Sequence, residues 1–380
     1  MRKKATANSV HYFEDSASNH NCPSLCAEQM PRLRPQLFRR AQSLSPDLAT
    51  LLPACRDLDS AVNELRWLRE YAHGTPSNRR QSHLSELCRK RGRGVPLQYV
   101  LGSQPFGPLE ILCKPGVLIP RAETEAYAYR LVELIKSGSL LGPRPSSGGL
   151  NVIDFCTGTG CIPLFFFSAL QASELPLSVR GVDISPAALR LAKKNLAHNL
   201  KGGSIQEPRM DQTLSFDMID VFNDTDIQSL AAENLDLMVS NPPYVSRDIW
   251  NYGHGHMGHS VRKYEPRLAL VPGDHLPDSP QGLRREDVFY SRLLDVASIL
   301  KPKTVLFEVG DEGQARRVVE FCQRHPFSRG SHIEVWRDDP SLSSTGEQRT
   351  WQLADMEGIC VEVPIVGDGN IRSVLIKKHL

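Results

Sequence analysis

The stretch "LNVIDF" (150–155) is apolar without the alternation of a half-exposed strand. It runs straight into the glycine turn "CTGTG" and then into "CIPLFFFSAL" (161–170). A strand that is apolar on both faces must be covered on both sides, which requires a mainly parallel sheet with helices packed above and below. The glycine turn between strand and helix leaves helix N–H groups facing outward at the strand's carboxyl end. This one segment therefore predicts a doubly wound α/β domain with a ligand at the carboxyl ends of its strands.

The following sequence repeats the pattern. It predicts a helix over 160–172, a strand at 177–183 and a helix at 186–199. A strand at 235–241, a helix at 284–300, a strand at 303–310 and a helix at 312–324 follow. Strand-like runs near 358–364 and 371–377 are expected to close the sheet through the turn "GDGN". Upstream, apolar residues at helical spacing, such as Leu58, Val62, Leu65 and Leu68, predict a small helical domain over 44–95. Short Gly- and Pro-broken runs over 96–125 read as a β-hairpin-like linker, with a helix starting near Thr124 and the α/β domain occupying 126–380.

Residues 1–43 read as an N-terminal extension, disordered or a transit segment. Arg32, Arg34, Arg39 and Arg40 precede the next acid, Asp47, as in organelle leaders, although the same residues would suit the start of a basic helix. Residues 1–100 carry 16 Lys and Arg against 9 Asp and Glu, while the whole chain is only +2. That imbalance fits a solvated helical surface or a targeting segment, or else a nucleic-acid partner. The nine cysteines are scattered and odd in number, which points to a reducing compartment. No apolar run reaches the roughly 18 residues of a membrane span.

Chemistry enters with the glycine turn. Asp154 opens it, Gly158 and Gly160 complete it, and the third glycine of a dinucleotide fingerprint is missing. Asp183 ends the second strand, where a carboxylate accepts from both ribose hydroxyls of a nucleoside. An acid beside the loop disfavours a pyrophosphate and favours a sulfonium, so the expected cofactor is S-adenosylmethionine. Asp220, in "FDMIDVF" (216–222), would take the adenine amino group with Val221 and Phe222 against the ring, or would simply cap a turn.

"VSNPPYV" (239–245) sits at the end of the fourth strand. The Asn241 side-chain oxygen and the Pro242 carbonyl can accept two N–H groups from a planar amide or amine. Pro242 and Pro243 hold those acceptors in place before binding, and Tyr244 can stack on the planar group. Acceptors on both hydrogens favour pyramidalisation as a methyl group arrives, and the proton can leave to water. A glutamine amide and the exocyclic amines of nucleobases fit this site equally.

The segment "PLQYVLGSQPFGPLEILCKPGVLIPRAETE" (96–125) resembles the HemK/PrmC family of release-factor glutamine N5-methyltransferases. The likeness continues through "DFCTGTGCI", "SNPPYV", "EPRLAL", "LFEVG" and "DGNIRSVLI". It implies a Rossmann-like, class I S-adenosylmethionine-dependent methyltransferase domain behind a small helical substrate-recognition domain. The implied reaction is N5-methylation of the glutamine in a release factor's Gly-Gly-Gln motif, in a mitochondrial, fungal-type member of the family. By matching position, Cys156, Thr157, Gly158, Thr159 and Gly160 would form the cofactor loop and Asp183 would hold the ribose, with Val221 beside the adenine and Asn241 facing both ligands. Asn241, Pro242, Pro243 and Tyr244 would hold the glutamine. Arg121 and Glu123, together with Phe106, would shape the substrate site from the linker.

The chain departs from the family pattern in four places. Cys156 replaces a glycine, which requires a negative φ there. Val221 replaces an aromatic, Ala122 replaces a proline, and 337–358 is longer and irregular. "HGHMGH" (254–259) lacks nearby carboxylates, so no metal is expected. The expected partner is a release factor met by a monomer, without stable nucleic-acid or membrane binding. The rival readings are a nucleic-acid amino-methyltransferase and a non-catalytic module that keeps the fold.

Overall fold

The computed structural model describes residues 33–142, 148–231, 234–253, 257–342, 349–354 and 360–378. Five helices come first: α1 (Pro35–Leu44), α2 (Pro46–Cys55), α3 (Leu58–Ala72), α4 (Ser77–Gly92) and α5 (Leu97–Leu101). Proline at the first turn starts α1 and α2, where its missing N–H costs nothing. Asp57 caps α3 by accepting from the Ser60 N–H at 2.7 Å. Leu51, Leu52, Leu65, Leu68 and Leu87 close one core between these helices. Arg91 on α4 forks onto Glu64 of α3 at 2.6 and 2.8 Å.

The boundary expected at residue 43 moves. Helix α1 begins at Pro35, and its Ala41 is fully buried in this core while Arg39 and Arg40 lie exposed on the other face. From Pro35 onward the arginine-rich stretch is thus an amphipathic helix of the folded domain.

The linker forms a hairpin of β1 (Ser103–Phe106) and β2 (Leu109–Leu112), and α6 (Ala122–Lys136) follows two residues earlier than expected. Then come β3 (Leu150–Phe155), α7 (Cys161–Leu170), β4 (Leu177–Asp183), α8 (Pro186–Gly202), β5 (Gln212–Met218) and α9 (Asp224–Ser229). After β6 (Leu237–Ser240), the short helices α10 (Arg247–Tyr252) and α11 (His259–Tyr264) lead to α12 (Val288–Leu300). β7 (Thr304–Glu308), α13 (Glu312–Arg324), β8 (His332–Asp339), β9 (Thr350–Ala354), β10 (Cys360–Val366) and β11 (Asp368–Lys377) complete the described chain.

Nine of these strands form one sheet in the order β5-β4-β3-β6-β7-β11-β8-β10-β9. The five from β5 to β7 are parallel, and β11 runs antiparallel between β7 and β8. One face packs on α6 and α7 through Tyr127, Leu131 and the Phe165–Phe167 run; the other packs on α12 and α13 through Leu293, Leu294, Val318 and Val319. Each phenylalanine so buried contributes about 1.5–3 kcal/mol. This is the doubly wound fold expected of a Rossmann-like methyltransferase domain.

Two expectations near the end of the chain need correction. The stretch taken as irregular, 337–358, holds the end of β8 and all of β9, whose charged and polar residues hide the strand pattern. "GDGN" is not itself the turn: Gly367 turns at φ 92°, and Asp368–Asn370 already belong to β11.

Candidate active site

The chain order reverses at β3, which has β4 on one side and β6 on the other. A crevice must open there at the strands' carboxyl ends, and a deep cleft among the described residues occupies it. On the β3 side the loop is drawn tight by backbone bonds. Thr157 N–H reaches the Val182 carbonyl at 3.0 Å, and Gly160 N–H the Thr157 carbonyl at 2.9 Å. Gly160 has φ 78°, and a Cβ on it would lie 2.9 Å from both Ala192 and the Phe216 ring. Only glycine lets the start of α7 approach so closely.

Asp183 joins this loop to the next strand. One carboxylate oxygen accepts the Gly158 N–H at 2.9 Å, and the other accepts the Ser185 N–H at 2.8 Å. Burial pushes its carboxyl above the ordinary range, opposed by those same N–H groups. Ile184 follows, 48% exposed and lining the cleft, an unusual place for a large apolar side chain. Further along, Asp220 accepts the Phe222 N–H at 2.9 Å, so it does cap its own turn while also lining the cleft. Phe222 stands edge-on to Phe289 at 5.1 Å, and both line the cleft with Val221.

The charged groups lining this cleft are Asp183, Asp220 and Arg121, and Arg121 is already paired with Glu265 at 2.8 Å. Two carboxylates and an apolar wall, with no lysine among the lining residues, repel a pyrophosphate and suit a nucleoside bearing a positive sulfur. The residues therefore fit S-adenosylmethionine.

The NPPY side is held from a distance. β6 is buried throughout, and Ser240 donates to the Phe155 carbonyl at 2.9 Å. Asn241 donates its side-chain N–H to the Thr124 hydroxyl at 3.4 Å, and Thr124 donates to Glu308 Oε2 at 2.6 Å. The Tyr244 hydroxyl donates to Glu308 Oε1 at 3.1 Å. Glu308 is 2% exposed. Burial lifts its carboxyl to about 7, against the Thr124 and Tyr244 hydrogen bonds and the Arg372 charge, and with Glu123 adding to the rise.

The backbone behind Tyr244 is fixed as well. Gln314 donates to the Tyr244 carbonyl at 3.2 Å and to Asp287 at 2.9 Å, and accepts the Gly310 N–H at 2.7 Å. Asp287 is fully buried and held by Arg317 at 2.6 and 3.0 Å. On the cleft's outer lip, Glu265 binds Arg121 and the Ile119 N–H at 3.1 Å. Arg285 gathers the Gly273 and Leu276 carbonyls at 2.8 and 2.7 Å.

One cleft thus unites Cys156, Thr157, Gly158, Thr159, Asp183, Asp220, Val221, Asn241, Pro243 and Arg121. Gly160, Pro242, Tyr244 and Glu123 are not among the lining residues; Glu123 acts by charge on Arg121, Glu308 and Arg372. Asp154 is placed differently from the expectation. Strand alternation turns it, like Val152, to the sheet face under α6, where it is fully buried near Tyr127 and does not line the cleft. Burial holds its carboxyl well above the ordinary range. Phe106 is likewise core: it is fully buried edge-on to Phe165 at 5.8 Å. Cys156 takes φ 61°, against the expected negative value, a strain of about 1–2 kcal/mol that the tight loop imposes.

Sequence reasoning missed Ile184, Phe289, Thr124, Glu308 and Gln314. A large apolar residue directly behind a strand-terminal acid was a usable signal for Ile184. The Thr124–Glu308 pair spans 184 residues and leaves no local trace. His254 and His256 lie outside the described residues, and His259 opens α11 beside Gly94. Among the described residues, no helix is long and apolar enough to cross a membrane.

The chain is similar in sequence to known proteins. A family model described as N-6 DNA Methylase matches residues 131–274, which include the glycine loop and NPPY but not the linker. "Mitochondrial MRF1 N(5)-glutamine methyltransferase MTQ1" of Saccharomyces cerevisiae is 36% identical over 243 residues, covering 64% of this chain and 68% of that protein. "Probable MRF1 mitochondrial N(5)-glutamine methyltransferase mtq1" of Schizosaccharomyces pombe is 32% identical over 281 residues, 72% of this chain and 84% of that protein. The "Release factor glutamine methyltransferase" of Nitratidesulfovibrio vulgaris is 30% identical over 263 residues, 66% and 78% of the two chains. On these matches, the chain belongs to the release factor N(5)-glutamine methyltransferase family.

Proposed function

We propose that this protein methylates the side-chain nitrogen of the glutamine in the Gly-Gly-Gln motif of a mitochondrial release factor, acting as a monomer. The observation that carries this reading is the position of Asn241, on the same cleft as the glycine loop and Asp183 and braced from behind by Thr124. When bound, S-adenosylmethionine supplies an electrophilic methyl group. Asp183 would hold the ribose with the lone pairs its two backbone bonds leave open, and Ile184 and Val221 would flank the adenine with Asp220 at its amino group. The Asn241 Oδ1 and the Pro242 carbonyl would accept the two hydrogens of the substrate amide. With both hydrogens so held, the amide nitrogen would give up its conjugation more easily and present its lone pair toward the methyl group that the cofactor would supply. The nitrogen then releases one proton to water. Tyr244 and Pro243 would wall the amide plane, and Arg121 would shape the entrance.

The mitochondrial assignment is supported by the two yeast relatives, both named as mitochondrial enzymes. The N-6 DNA Methylase match favours a second reading, transfer to a nucleobase amine, because the same acceptors would serve it. Mass spectrometry of a mitochondrial release factor from cells with and without this protein separates the two. The expected result is loss of 14 Da at the Gly-Gly-Gln glutamine when the protein is absent, from the mass of a CH₂ group (about 14 Da). An unchanged glutamine would refute the proposal.

A further inference from the structure

Asn241 can work as an acceptor only if its oxygen, and not its NH₂, faces the substrate. Nothing on its own loop settles that choice, since the two ends of an amide have nearly the same shape. The neighbouring hydroxyl does settle it. Thr124 has one hydroxyl proton and gives it to Glu308 at 2.6 Å, the short distance of a bond to a charged acceptor. Its remaining lone pairs can only accept, so the side of Asn241 that meets Thr124 must be the NH₂, as the 3.4 Å contact has it. Oδ1 is then the end left for the cleft.

We propose that Glu308 is a positioning residue that fixes, through the Thr124 hydroxyl, which end of the Asn241 amide is presented to the substrate nitrogen. The proposal rests on the functional reading above for its consequence in catalysis, but the relay itself is a property of this chain.

The relay has a reversed setting. If Glu308 carries a proton on Oε2, it donates to Thr124, whose own proton then turns to Asn241. The amide answers by turning Oδ1 inward and its NH₂ outward, so that donors face the donors of the substrate. The groups around Glu308 bear on this balance from every side. Thr124, Tyr127 and Glu123 belong to α6, Tyr244 follows β6, and Asp154 lies on β3. Tyr290 of α12 donates to the Glu308 carbonyl at 2.8 Å, and Arg372 of β11 supplies the opposing positive charge. Burial with so little positive charge lifts the carboxyl to about 7, so both settings are reachable near neutrality. Activity should therefore rise with pH through that region as Glu308 ionises.

Two measurements on the full chain test this. In the first, kcat and KM for a purified release factor are followed against pH. Thr124→Val should lower kcat at least about 10-fold with KM little changed, Thr124→Ser should restore most of it, and Glu308→Gln should abolish the rise near pH 7. Wild-type kcat and pH profile in both Thr124→Val and Glu308→Gln would overturn the proposal. In the second, the Asn241 side-chain NH₂ resonance is followed by NMR in ¹⁵N-asparagine-labelled protein without substrate. It should titrate with Glu308 in the wild type and stop titrating in Glu308→Gln. A resonance indifferent to pH in the wild type would overturn the relay even if methylation is normal. A titrating resonance without release-factor methylation would uphold the relay and sink the functional reading instead.

Discussion

At the glycine-loop end of the cleft, the fixed polar groups are backbone N–H groups and a carboxylate that reaches them across 25 and 2 residues of sequence. At the NPPY end they are side chains recruited from across the chain. Asn241 meets Thr124 over 117 residues, Thr124 meets Glu308 over 184, and Gln314 meets the Tyr244 carbonyl over 70. The first end is a local turn that the sheet presents. The second is a short loop whose shape depends on four other elements packing correctly. A nucleoside with a charged sulfur can be held by generic backbone geometry. Selecting one planar nitrogen needs acceptors aimed in advance, and two prolines alone cannot aim a side chain.

This contrast predicts separable failures. Asn241→Ala should cut methyl transfer by about 10³-fold, the scale of losing one preorganised polar group in a transition state. Cofactor affinity should stay nearly constant, as titration calorimetry with the demethylated cofactor product can check. A matching loss of cofactor affinity would mean that the two ends are not independent.

Asp287→Ala strikes the brace behind NPPY. It removes the fully buried carboxylate onto which Arg317 forks, leaving Arg317 with Glu286 at 3.5 Å, and takes one partner from Gln314, so stability should fall by about 1.5–3 kcal/mol in urea unfolding. A loss below about 1 kcal/mol would show that the brace is ornamental.

Asp183→Ala should weaken cofactor binding by roughly 30-fold, the equivalent of about 2 kcal/mol for hydrogen bonds to a charged acceptor. The KM for release factor should move little. Equal cofactor affinity in variant and wild type would refute the role given to this carboxylate.

Cys156→Gly should have the smallest effect. Relief of the φ 61° strain, less the entropy of an added glycine, leaves a gain of about 0.5–1 kcal/mol in unfolding free energy. A loss of stability would show that the thiol's packing outweighs the backbone strain.

The same contrast explains what could be read from the sequence. "LNVIDF", the glycine turn and Asp183 are local signals, and their strand–turn–helix context could be inferred without coordinates. So could the position of "NPPY" behind an apolar strand. Asp154 was misplaced because the sequence pattern shows an acid at a turn but not which sheet face its strand register selects. Phe106 was misread for a similar reason, since the resemblance placed it near the site but only packing against Phe165 shows it to be core. Thr124 and Glu308 were invisible because each looks ordinary in its own segment, and only the fold brings a buried carboxylate to a hydroxyl 184 residues away. β8 escaped because "HIEVWRDD" ends in charged residues that are satisfied at the strand's end, including Asp338, which pairs with Arg372 at 2.7 Å.

The most direct test of the central claim is a purified reaction with S-adenosylmethionine carrying a labelled methyl group. A mitochondrial release factor and an adenine-containing oligonucleotide compete in the same tube, and tandem mass spectrometry locates the label. Label is expected on the side-chain nitrogen of the Gly-Gly-Gln glutamine and none on the oligonucleotide. Label on the nucleobase amine, with the glutamine untouched, would contradict that claim.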